Sequence, residues 1–136
     1  MNQQLEGTRF DEQQALSDDV GDADDTCMLS TFDRKSGRVH DVPMRYARQG
    51  DIIYMLADEG ARTDWVQNII KNPEASLRMD GGTISGMARV VTRHDEDEQA
   101  RRLLAEKYES WSDGQEMSQW ARTALPVAVE HSPRVH

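Results

Sequence analysis

The spacing of apolar residues changes along this chain, and each period predicts a different kind of element. Between residues 26 and 57, segments rich in β-branched, aromatic and apolar residues predict strands, and in one of them Val42, Met44 and Tyr46 recur with the period of two that is typical of a strand face. The strands predicted there are 26–32, 39–47 and 52–57. A polar turn at 33–38 joins the first two, and a hairpin turn at 48–51 joins the second to the third. Pro43 cannot donate to a hydrogen-bond ladder, so the second strand is predicted at a sheet edge or bulged there.

A helical period follows the third strand. The apolar residues of this stripe are Trp65, Val66, Ile69 and Ile70. Thr63 or Asp64 can cap the start of the predicted helix, and the dipeptide Asn72-Pro73 stops it.

The rest of the chain repeats this order of strands and then helices. Segments 75–79 and 83–92 flank an Asp-Gly-Gly turn, which is a hairpin signal. Four acidic residues at 95–98 then open a helix, where carboxylates suit the positive end of the helix dipole. The apolar stripe of that helix comprises Ala100, Leu103, Leu104, Tyr108 and Trp111. A short helix through Trp120 and a last strand at 125–130 complete the pattern.

The resulting order of elements predicts a mainly β protein with flanking helices, which is an α+β fold. Antiparallel hairpins interrupted by helices indicate a small barrel or a sheet covered by helices. We expect one folded domain at 26–136, because the composition changes sharply after residue 25. Residues 1–25 form an acidic leader that we expect to be partly disordered, with a short helix at 10–20.

The charge of the chain is concentrated in that leader. The formal net charge is −9, from 25 acidic and 16 basic residues. Residues 1–25 carry eight of the acids and a single base, so the predicted domain is close to neutral. Non-specific nucleic-acid binding requires a broad basic face, and we therefore predict no nucleic-acid partner.

The remaining composition argues against several other kinds of site. The N-terminus lacks a basic segment followed by an apolar one, and no stretch approaches the ~18 apolar residues of a membrane span. We therefore expect a cytoplasmic protein. Cys27 is the only cysteine and is expected to be a buried thiol. The four histidines lack metal-ligand spacing, so no metal site is predicted.

One small cluster of cations contrasts with the acidic composition. Arg34, Lys35 and Arg38 fall within five positions, together with Ser36 and Gly37. Backbone N–H groups of such a turn can converge on an anion, and arginine can bind phosphate through two parallel hydrogen bonds. The turn therefore has the chemistry of a small phosphate site, although the same composition is also typical of a solvated hairpin tip. It is not a P-loop, because the second Gly-Lys pair is missing.

Short motifs in one order resemble the deazaflavin-dependent nitroreductase family. The stretch TFDRKSGRVHDVPMRY is similar to the family's TTTGRKSG turn and its strand ending VP-x-x-Y. TDWVQNIIKNP is similar to the family's helix, W-x-x-N-L-x-x-N-P. GDIIYMLA, ARVV and RTALPVAVE resemble further strands of the family, so that the motifs extend from residue 26 to residue 130.

The resemblance implies a split β-barrel fold related to FMN-binding proteins. It also implies coenzyme F420, an 8-hydroxy-5-deazaflavin with a phosphate and an oligoglutamate tail, with FMN as the alternative cofactor. The turn residues implied to contact the phosphate or tail are Arg34, Lys35, Ser36 and Arg38. The residues implied to border the rest of the cofactor are Val42, Pro43, Met44, Ala57, Arg62, Trp65 and Asn68. Those implied on the substrate side are Tyr46, Tyr108 and Trp111.

Some of these residues have a second explanation in packing. Trp65 can be a core anchor, with Asn68 binding a loop carbonyl, and Tyr108 lies on the apolar stripe of its helix. A departure from the family also affects the cofactor, since Asp58 and Glu59 stand where the family commonly has Ser and Lys. A carboxylate repels a phosphate. Either Arg62 supplies the missing charge, or the site holds a flavin or a tetrapyrrole in another pose.

The function that follows is hydride transfer from a reduced deazaflavin to a small nitro, quinone or enone-like acceptor. Tyr46 is the residue expected to be catalytic, by donating a hydrogen bond to the acceptor oxygen as charge develops there. The alternative is a non-catalytic carrier of a flavin, deazaflavin or heme-derived ligand with the same fold. A protein-interaction module that uses the acidic leader is a third hypothesis. The fold resemblance also allows a homodimer.

Overall fold

Seven strands form one antiparallel sheet in the computed structural model, which describes residues 26–79 and 81–131. The strands are β1 (Cys27–Phe32), β2 (Val39–Met44), β3 (Ala47–Gln49), β4 (Ile52–Ala57), β5 (Glu74–Met79), β6 (Gly82–Val90) and β7 (Leu125–His131). The helices are α1 (Asp64–Lys71), α2 (His94–Glu109) and α3 (Gln119–Thr123), with a 3-10 turn at Gly60–Arg62. The mainly β, α+β class is confirmed. The acidic leader and its predicted helix lie outside the described residues.

The order of the strands curls this sheet into a barrel that is split on one side. Hydrogen-bonded neighbours follow the order β2-β1-β5-β6-β7-β4-β3. The two edge strands, β2 and β3, are nevertheless consecutive in the chain, separated only by Arg45 and Tyr46. The sheet must therefore curl until its edges come together at these two residues. This is the split β-barrel that the motifs implied.

The second predicted strand, 39–47, is wrong as a single element. It is broken after Met44, where the chain leaves the β1 side of the barrel for the β4 side. Pro43 lies opposite Met28 in a regular register, so the edge position is confirmed and there is no bulge. The hairpin between β3 and β4 is also confirmed. Gly50 has φ +60° in that turn, a left-handed conformation that glycine adopts readily.

The barrel interior is filled by alternate residues of the strands and closed by α1. The fully buried residues of this core include Leu29, Ile53, Met55, Leu77, Ile84, Val127 and Val129. Trp65, Val66 and Ile69 of α1 pack on them. Ile70 was expected on the same stripe but is exposed, because it points about 100° away from Ile69 around the helix. An eight-residue helix is not stable alone, so α1 depends on this packing.

A second apolar cluster joins the outer face of the barrel to α2 and α3. Its buried residues include Ala47, Tyr54, Leu56, Val91, Ala100, Leu104 and Ala128. The α2 stripe therefore packs as predicted as far as Tyr108, which is half-buried against this cluster. Trp111 was wrongly assigned to the stripe, because α2 ends at Glu109 and Ser110 turns the chain with φ +52°.

A charged network fastens the first turn of α2 to the sheet. Two parallel hydrogen bonds of 2.8 Å join the Arg89 guanidinium to the Glu96 carboxylate, and Arg89 also pairs with Glu130 at 2.7 Å. The Tyr54 hydroxyl donates to Glu96 at 2.8 Å. The hydrogen bonds from Arg89 lower the pKa of Glu96 to about 2, against the opposing effect of burial. Burial and the Glu96 carboxylate raise the pKa of Tyr54 to about 12.

No helix in the described ranges, 26–79 and 81–131, is both long enough and apolar enough to span a membrane.

Candidate functional site

An open groove of ≈ 960 Å³ lies where the barrel is split. One wall is the free edge of β2, and the other is the segment from the end of β4 to the start of α1. The lining residues are Val42, Pro43, Met44, Arg45, Leu56, Asp58, Glu59, Arg62, Thr63, Asp64, Trp65 and Trp120. The β3–β4 pairing ends with Ala47 opposite Tyr54. The groove occupies the space beyond that pair, where the two strands separate.

The β2 wall offers both backbone and apolar contacts to a flat ligand. An edge strand leaves one row of its N–H and C=O groups unpaired with another strand. Pro43 belongs to that row and contributes only its C=O, because the register directs the backbone groups of Val42 and Met44 towards β1. The indole of Trp65 borders the groove and packs into the barrel core. A planar ring with polar edges and apolar faces fits such a wall.

The basic turn at 33–38 does not present its backbone N–H groups to a ligand. The Asp33 carboxylate accepts from the N–H groups of Lys35, at 3.0 Å, and Ser36, at 2.8 Å. These two hydrogen bonds lower the pKa of Asp33 below its ordinary value. Gly37 closes the turn with φ +76°, a left-handed conformation suited to glycine. The predicted backbone cradle is therefore filled by a carboxylate of the same chain.

Arg34 is also used by the fold. Its backbone N–H and its guanidinium both donate to Asn68 Oδ1 at 3.0 Å, and the guanidinium pairs with Asp64 at 3.4 Å. Asn68 is 1% exposed, and its amide donates to the Thr31 hydroxyl at 3.4 Å. The expectation that Asn68 borders the cofactor is wrong in this structure, because its polar atoms dock the turn onto α1. Arg34 remains at the groove margin through Asp64.

Lys35 and Arg38 are the turn cations that remain exposed. Neither has a carboxylate within 4 Å among the residues that the structure describes. The Ser36 hydroxyl accepts from the Arg38 N–H at 3.2 Å, which ties it to the turn itself. The side chains available to an anion at this end of β2 are therefore Lys35 and Arg38, without the backbone N–H groups that were expected beside them.

Three more of the predicted site residues, Tyr46, Ala57 and Tyr108, do not line the groove. Tyr46 is 0% exposed within the barrel core, so the expected contact of its hydroxyl with an acceptor is wrong in this structure. Ala57 is also buried, because the groove-lining residues on either side of it are Leu56 and Asp58. Tyr108 binds the backbone of Tyr46 and does not line the groove.

Trp111 lies in a separate cavity of ≈ 410 Å³ beside the loop that follows α2. Its indole N–H donates to the carbonyl of Gln115 at 2.9 Å, which holds that loop together. The expected place of Trp111 on the substrate side of the groove is therefore wrong in this structure.

Of the residues that the motifs implied beside the cofactor, those that line the groove are Val42, Pro43, Met44, Arg62 and Trp65. Two further groove residues, Arg45 and Trp120, were not expected from the sequence. The signal for Arg45 was its position directly after the Val-Pro-Met segment, but a strand predicted through 39–47 made it an ordinary exposed strand residue. Trp120 had no local signal, because it reaches the groove only through the packing of α3 on α2.

Comparison with known families decides what kind of protein has this groove. A family model described as F420H(2)-dependent quinone reductase matches residues 9–132. The chain belongs to this family. It is therefore an F420H2-dependent oxidoreductase, its cofactor is coenzyme F420, and the resemblance to deazaflavin-dependent enzymes is confirmed. The comparison with curated proteins found no match.

Solved structures confirm the split-barrel fold of this reductase. It is similar to an F420-H2 dependent reductase, FDR-A, with 22% identity and a TM-score of 0.61 over 78% of this chain and 94% of that one. It is also similar to a proposed 5-nitroimidazole antibiotic resistance protein from Bacteroides thetaiotaomicron, with 15% identity and a TM-score of 0.64 over 79% of this chain and 72% of that one. A third similar structure is HutZ, a heme storage protein from Vibrio cholerae, with 18% identity and a TM-score of 0.61 over 81% of this chain and 83% of that one. At these identities the likeness concerns the fold alone.

The groove of the reductase fits coenzyme F420 in shape and in chemistry. The β2 edge and Trp65 suit a flat ring with polar edges, and Arg62 supplies positive charge within the groove. Lys35 and Arg38 are exposed beyond one end of β2, where an acidic tail can meet them. Asp58 and Glu59 also line the groove, and their carboxylates oppose the binding of a phosphate there.

Proposed function

We propose that this reductase transfers a hydride from F420H2 to a small quinone, nitro or enone-like acceptor bound in the groove. The observation that carries this proposal is the position of the groove along the free edge of β2, facing Trp65 across the split of the barrel. The reduced deazaflavin, when bound, supplies the hydride. The protein has to orient the ring, keep one face open and exclude water from the reacting atoms.

The described residues can meet these requirements without a strong acid or base. The unpaired backbone groups of the β2 edge hold the ring edge, and the indole of Trp65 limits its position. Leu56 and Trp120 bring apolar surface to the same groove and so reduce the water beside an acceptor. Lys35 and Arg38 bind the acidic tail outside the groove, where exposed cations act mainly through charge.

A non-catalytic carrier is the second candidate, supported by the fold that this chain shares with a heme storage protein. The groove chemistry favours the enzyme. Heme iron is usually held by His, Cys, Tyr or Met side chains. Of these, the described lining residues of the groove include Met44 alone. A flat deazaflavin needs no such ligand, and the β2 edge serves it directly.

The assembly proposed for this reductase is a homodimer. The large apolar side chains that are exposed among the described residues are Val39 on β2, Ile70 on α1 and Met87 on β6. Exposed apolar residues of this size are typical of surfaces that meet a partner when they lie together. Analytical ultracentrifugation of the wild type and of Ile70→Lys measures whether this surface is used. The cytoplasmic location and the small-molecule partner remain predictions of the sequence.

The decisive experiment is a parallel titration of the purified protein with coenzyme F420, FMN and heme. We expect F420 to bind at least tenfold more tightly than the other two, and the bound reduced cofactor to be reoxidised when a water-soluble quinone is added. Trp65→Leu should weaken F420 binding while Trp111→Leu, outside the groove, should not. Tightest binding of heme, with a spectrum inert to acceptors, would instead establish the carrier.

A further inference from the structure

The guanidinium of Arg45 lies against two aromatic rings at one end of the groove. Its central carbon is 5.3 Å from the ring centroid of Tyr108 and 5.0 Å from that of Trp120. The two rings meet edge to face, with centroids 6.3 Å apart and planes at 86°. These distances are typical of cation–π contacts, in which arginine keeps its charge while its flexible side chain is restrained. Arg45 is therefore a positioned cation, although its residue is exposed.

The backbone beside Arg45 is fixed by the same helix that supplies the ring. The Tyr108 hydroxyl accepts from the N–H of Tyr46 at 2.9 Å and donates to the C=O of Tyr46 at 3.0 Å. Lys107 Nζ donates to that same carbonyl at 2.9 Å. This contact of α2 with the β2–β3 connection, which we call the Tyr46 clamp, holds the residue next to Arg45 on both of its backbone polar groups. The position of Arg45 is thus restrained twice, at the adjoining backbone of Tyr46 and at the face of its guanidinium.

Arg45 has no carboxylate within 4 Å in the described part of the chain, and neither does Arg62 across the groove. Arginines that stabilise the fold differ, since Arg89 pairs with two carboxylates and Arg101 pairs with Asp97 at 2.6 Å. A guanidinium has five N–H donors along its edges, while the aromatic contacts involve its face. The donors of Arg45 are therefore available to a ligand in the groove.

The charges of the groove are distributed unequally between its walls. The three lining carboxylates, Asp58, Glu59 and Asp64, lie on the wall that runs from the end of β4 to the start of α1 and outnumber its one lining cation, Arg62. Arg45 is the charged lining residue on the β2 wall. An anionic group in the groove is repelled by the first wall and attracted to Arg45, which gives a ligand a defined direction.

The length of β2 separates Arg45 from the basic turn. Six residues of extended chain, Val39–Met44, lie between Arg38 and Arg45, which corresponds to about 20 Å. A phosphate or tail held near Lys35 and Arg38 is therefore beyond the reach of Arg45. The partner of Arg45 has to be at the other end of the groove, beside Trp120, where an acceptor rather than the cofactor tail can lie.

We propose that Arg45 is a specificity-determining residue that binds an anionic oxygen of the acceptor. This inference rests on the proposed function. It predicts that the preferred acceptors carry a carboxylate or an ionised hydroxyl next to the reducible group, as in an acidic quinone. Arg45 takes no part in proton or electron transfer, and its effect is on binding and orientation. Tyr108 is a positioning residue, because it holds both the guanidinium and the adjoining backbone.

The test compares a naphthoquinone carboxylate with its uncharged parent quinone. Binding of each to the protein is measured by quenching of tryptophan fluorescence, and turnover is measured with F420H2. In Arg45→Met, we expect Kd and KM for the carboxylate to rise at least tenfold, with kcat and the affinity for F420 changed less than twofold. The uncharged parent should change less than twofold. Arg45→Lys should recover part of the loss, and Arg78→Met, an exposed arginine on β5, should behave as the wild type.

Three results would overturn the assignment of Arg45. They are equal losses for both quinones, a loss of F420 affinity in Arg45→Met, and no preference of the wild type for the carboxylate. Thermal melts of each variant accompany the titrations, and Tyr108→Phe should weaken carboxylate binding with retained folding. A wild type that prefers the carboxylate in the quenching assay but reduces neither quinone refutes the proposed function while supporting the anion site at Arg45.

Discussion

The side of the barrel covered by α2 and the side that opens into the groove use their arginines differently. Under α2, Arg89 is paired with Glu96 and Glu130, and Glu96 also accepts from the Tyr54 hydroxyl. In the groove, neither Arg45 nor Arg62 has a carboxylate within 4 Å among the described residues. Charges that stabilise the fold are therefore satisfied within the chain. Charges left without an ionic partner beside a groove are available to a ligand.

The basic turn resembles the side covered by α2 in one respect, because several of its polar groups are bonded within the chain. Its composition alone suggested a ligand site. Arg34 is satisfied by Asn68 and Asp64, and Asp33 accepts the N–H groups that could otherwise bind an anion. The three cations of this turn are close in sequence, but they differ in whether the fold provides their partners. Arg34 is part of the fold, and Lys35 and Arg38 are available to a ligand.

The largest expected effect is on the covered side. Arg89→Met leaves Glu96, which is 11% exposed, without its ionic partner, and we expect the free energy of unfolding to fall by about 3 kcal/mol. The affinity for F420 should stay within twofold of the wild type. Urea denaturation and a fluorescence titration measure the two quantities. Arg102→Met, which removes an exposed pair with Glu98 at 3.9 Å, is the matched control and should cost less than about 0.5 kcal/mol.

The pH dependence of stability tests the same network without changing its packing. The folded pKa of Glu96 is about 2, below its ordinary value of 4.5, so the stabilisation is complete above pH 4.5 and is lost as the pH falls towards 2. We expect a loss of about 2 kcal/mol across this window, discounted because Arg89 is partly exposed. Glu96→Gln should remove that part of the acid dependence. An unchanged acid limb in this variant would show that the pair contributes nothing.

The high-pH side has the opposite sign. The pKa of Tyr54 is raised to about 12 from its ordinary value of 10, so its stabilising contribution is lost as the pH rises from 10 through 12. Tyr54→Phe should flatten the alkaline limb of the stability curve. Denaturation midpoints measured from pH 2 to pH 12 cover both limbs in one series.

Asn68 provides the next test, at the junction between turn and helix. Asn68→Ala leaves the N–H of Arg34 and the hydroxyl of Thr31 without their partner, and we expect a loss of about 1.5 kcal/mol in unfolding free energy. Lys71→Ala, at the exposed end of the same helix, should change stability by less than about 0.5 kcal/mol. If Asn68→Ala is as stable as the wild type, the turn is not docked on α1 as the structure shows.

The exposed turn cations should affect binding but not folding. Replacing both Lys35 and Arg38 with Ala should weaken F420 binding about tenfold, which corresponds to about 1.4 kcal/mol, and the wild-type affinity should fall as salt rises. Melting temperatures should not change. A deazaflavin without phosphate and tail serves as the control ligand, and an equal loss for that ligand would contradict a contact with the tail.

The smallest effect concerns the acidic wall of the groove. Glu59→Lys should strengthen F420 binding about threefold at low salt, because an exposed repulsion with the phosphate becomes an attraction. Glu74→Lys, exposed on β5 outside the groove, is the control with the same charge change. Weaker binding in Glu59→Lys would place the phosphate elsewhere.

The sequence predicted those strands and helices well in which the pattern of apolar residues indicates which side chains are buried. The strands around Leu29, Met55 and Val127 and the stripe of α1 were recognisable, because runs of apolar and β-branched residues and helical spacing of apolar residues are local patterns. The break between β2 and β3 was missed. Arg45 and Tyr46 continue the alternation of an edge strand, and their departure from it is caused by distant contacts with Lys107 and Tyr108.

The site was only partly predictable for a similar reason. The groove wall at Val42, Pro43 and Met44 came from a motif in one segment. The fate of Arg34 depended on Asn68, 34 positions later, and residue type alone cannot distinguish a cation that pairs within the fold from one that remains available. Tyr46 looked like a substrate contact by motif, but burial in a closed barrel is a property of the whole sheet.

The split in the barrel also determines how a ligand can enter. The strands on either side of the groove, β2 and β4, share no ladder pairing in the described chain, and Arg45 and Tyr46 connect β2 to β3, the ladder neighbour of β4. Moving them apart therefore breaks no sheet hydrogen bond, and the resistance comes from the Tyr46 clamp on α2. The groove can widen as a hinge while the rest of the barrel stays paired. Hydrogen exchange should then be fastest at the amides around Arg45 and slow in β6 and β7, which are paired on both sides.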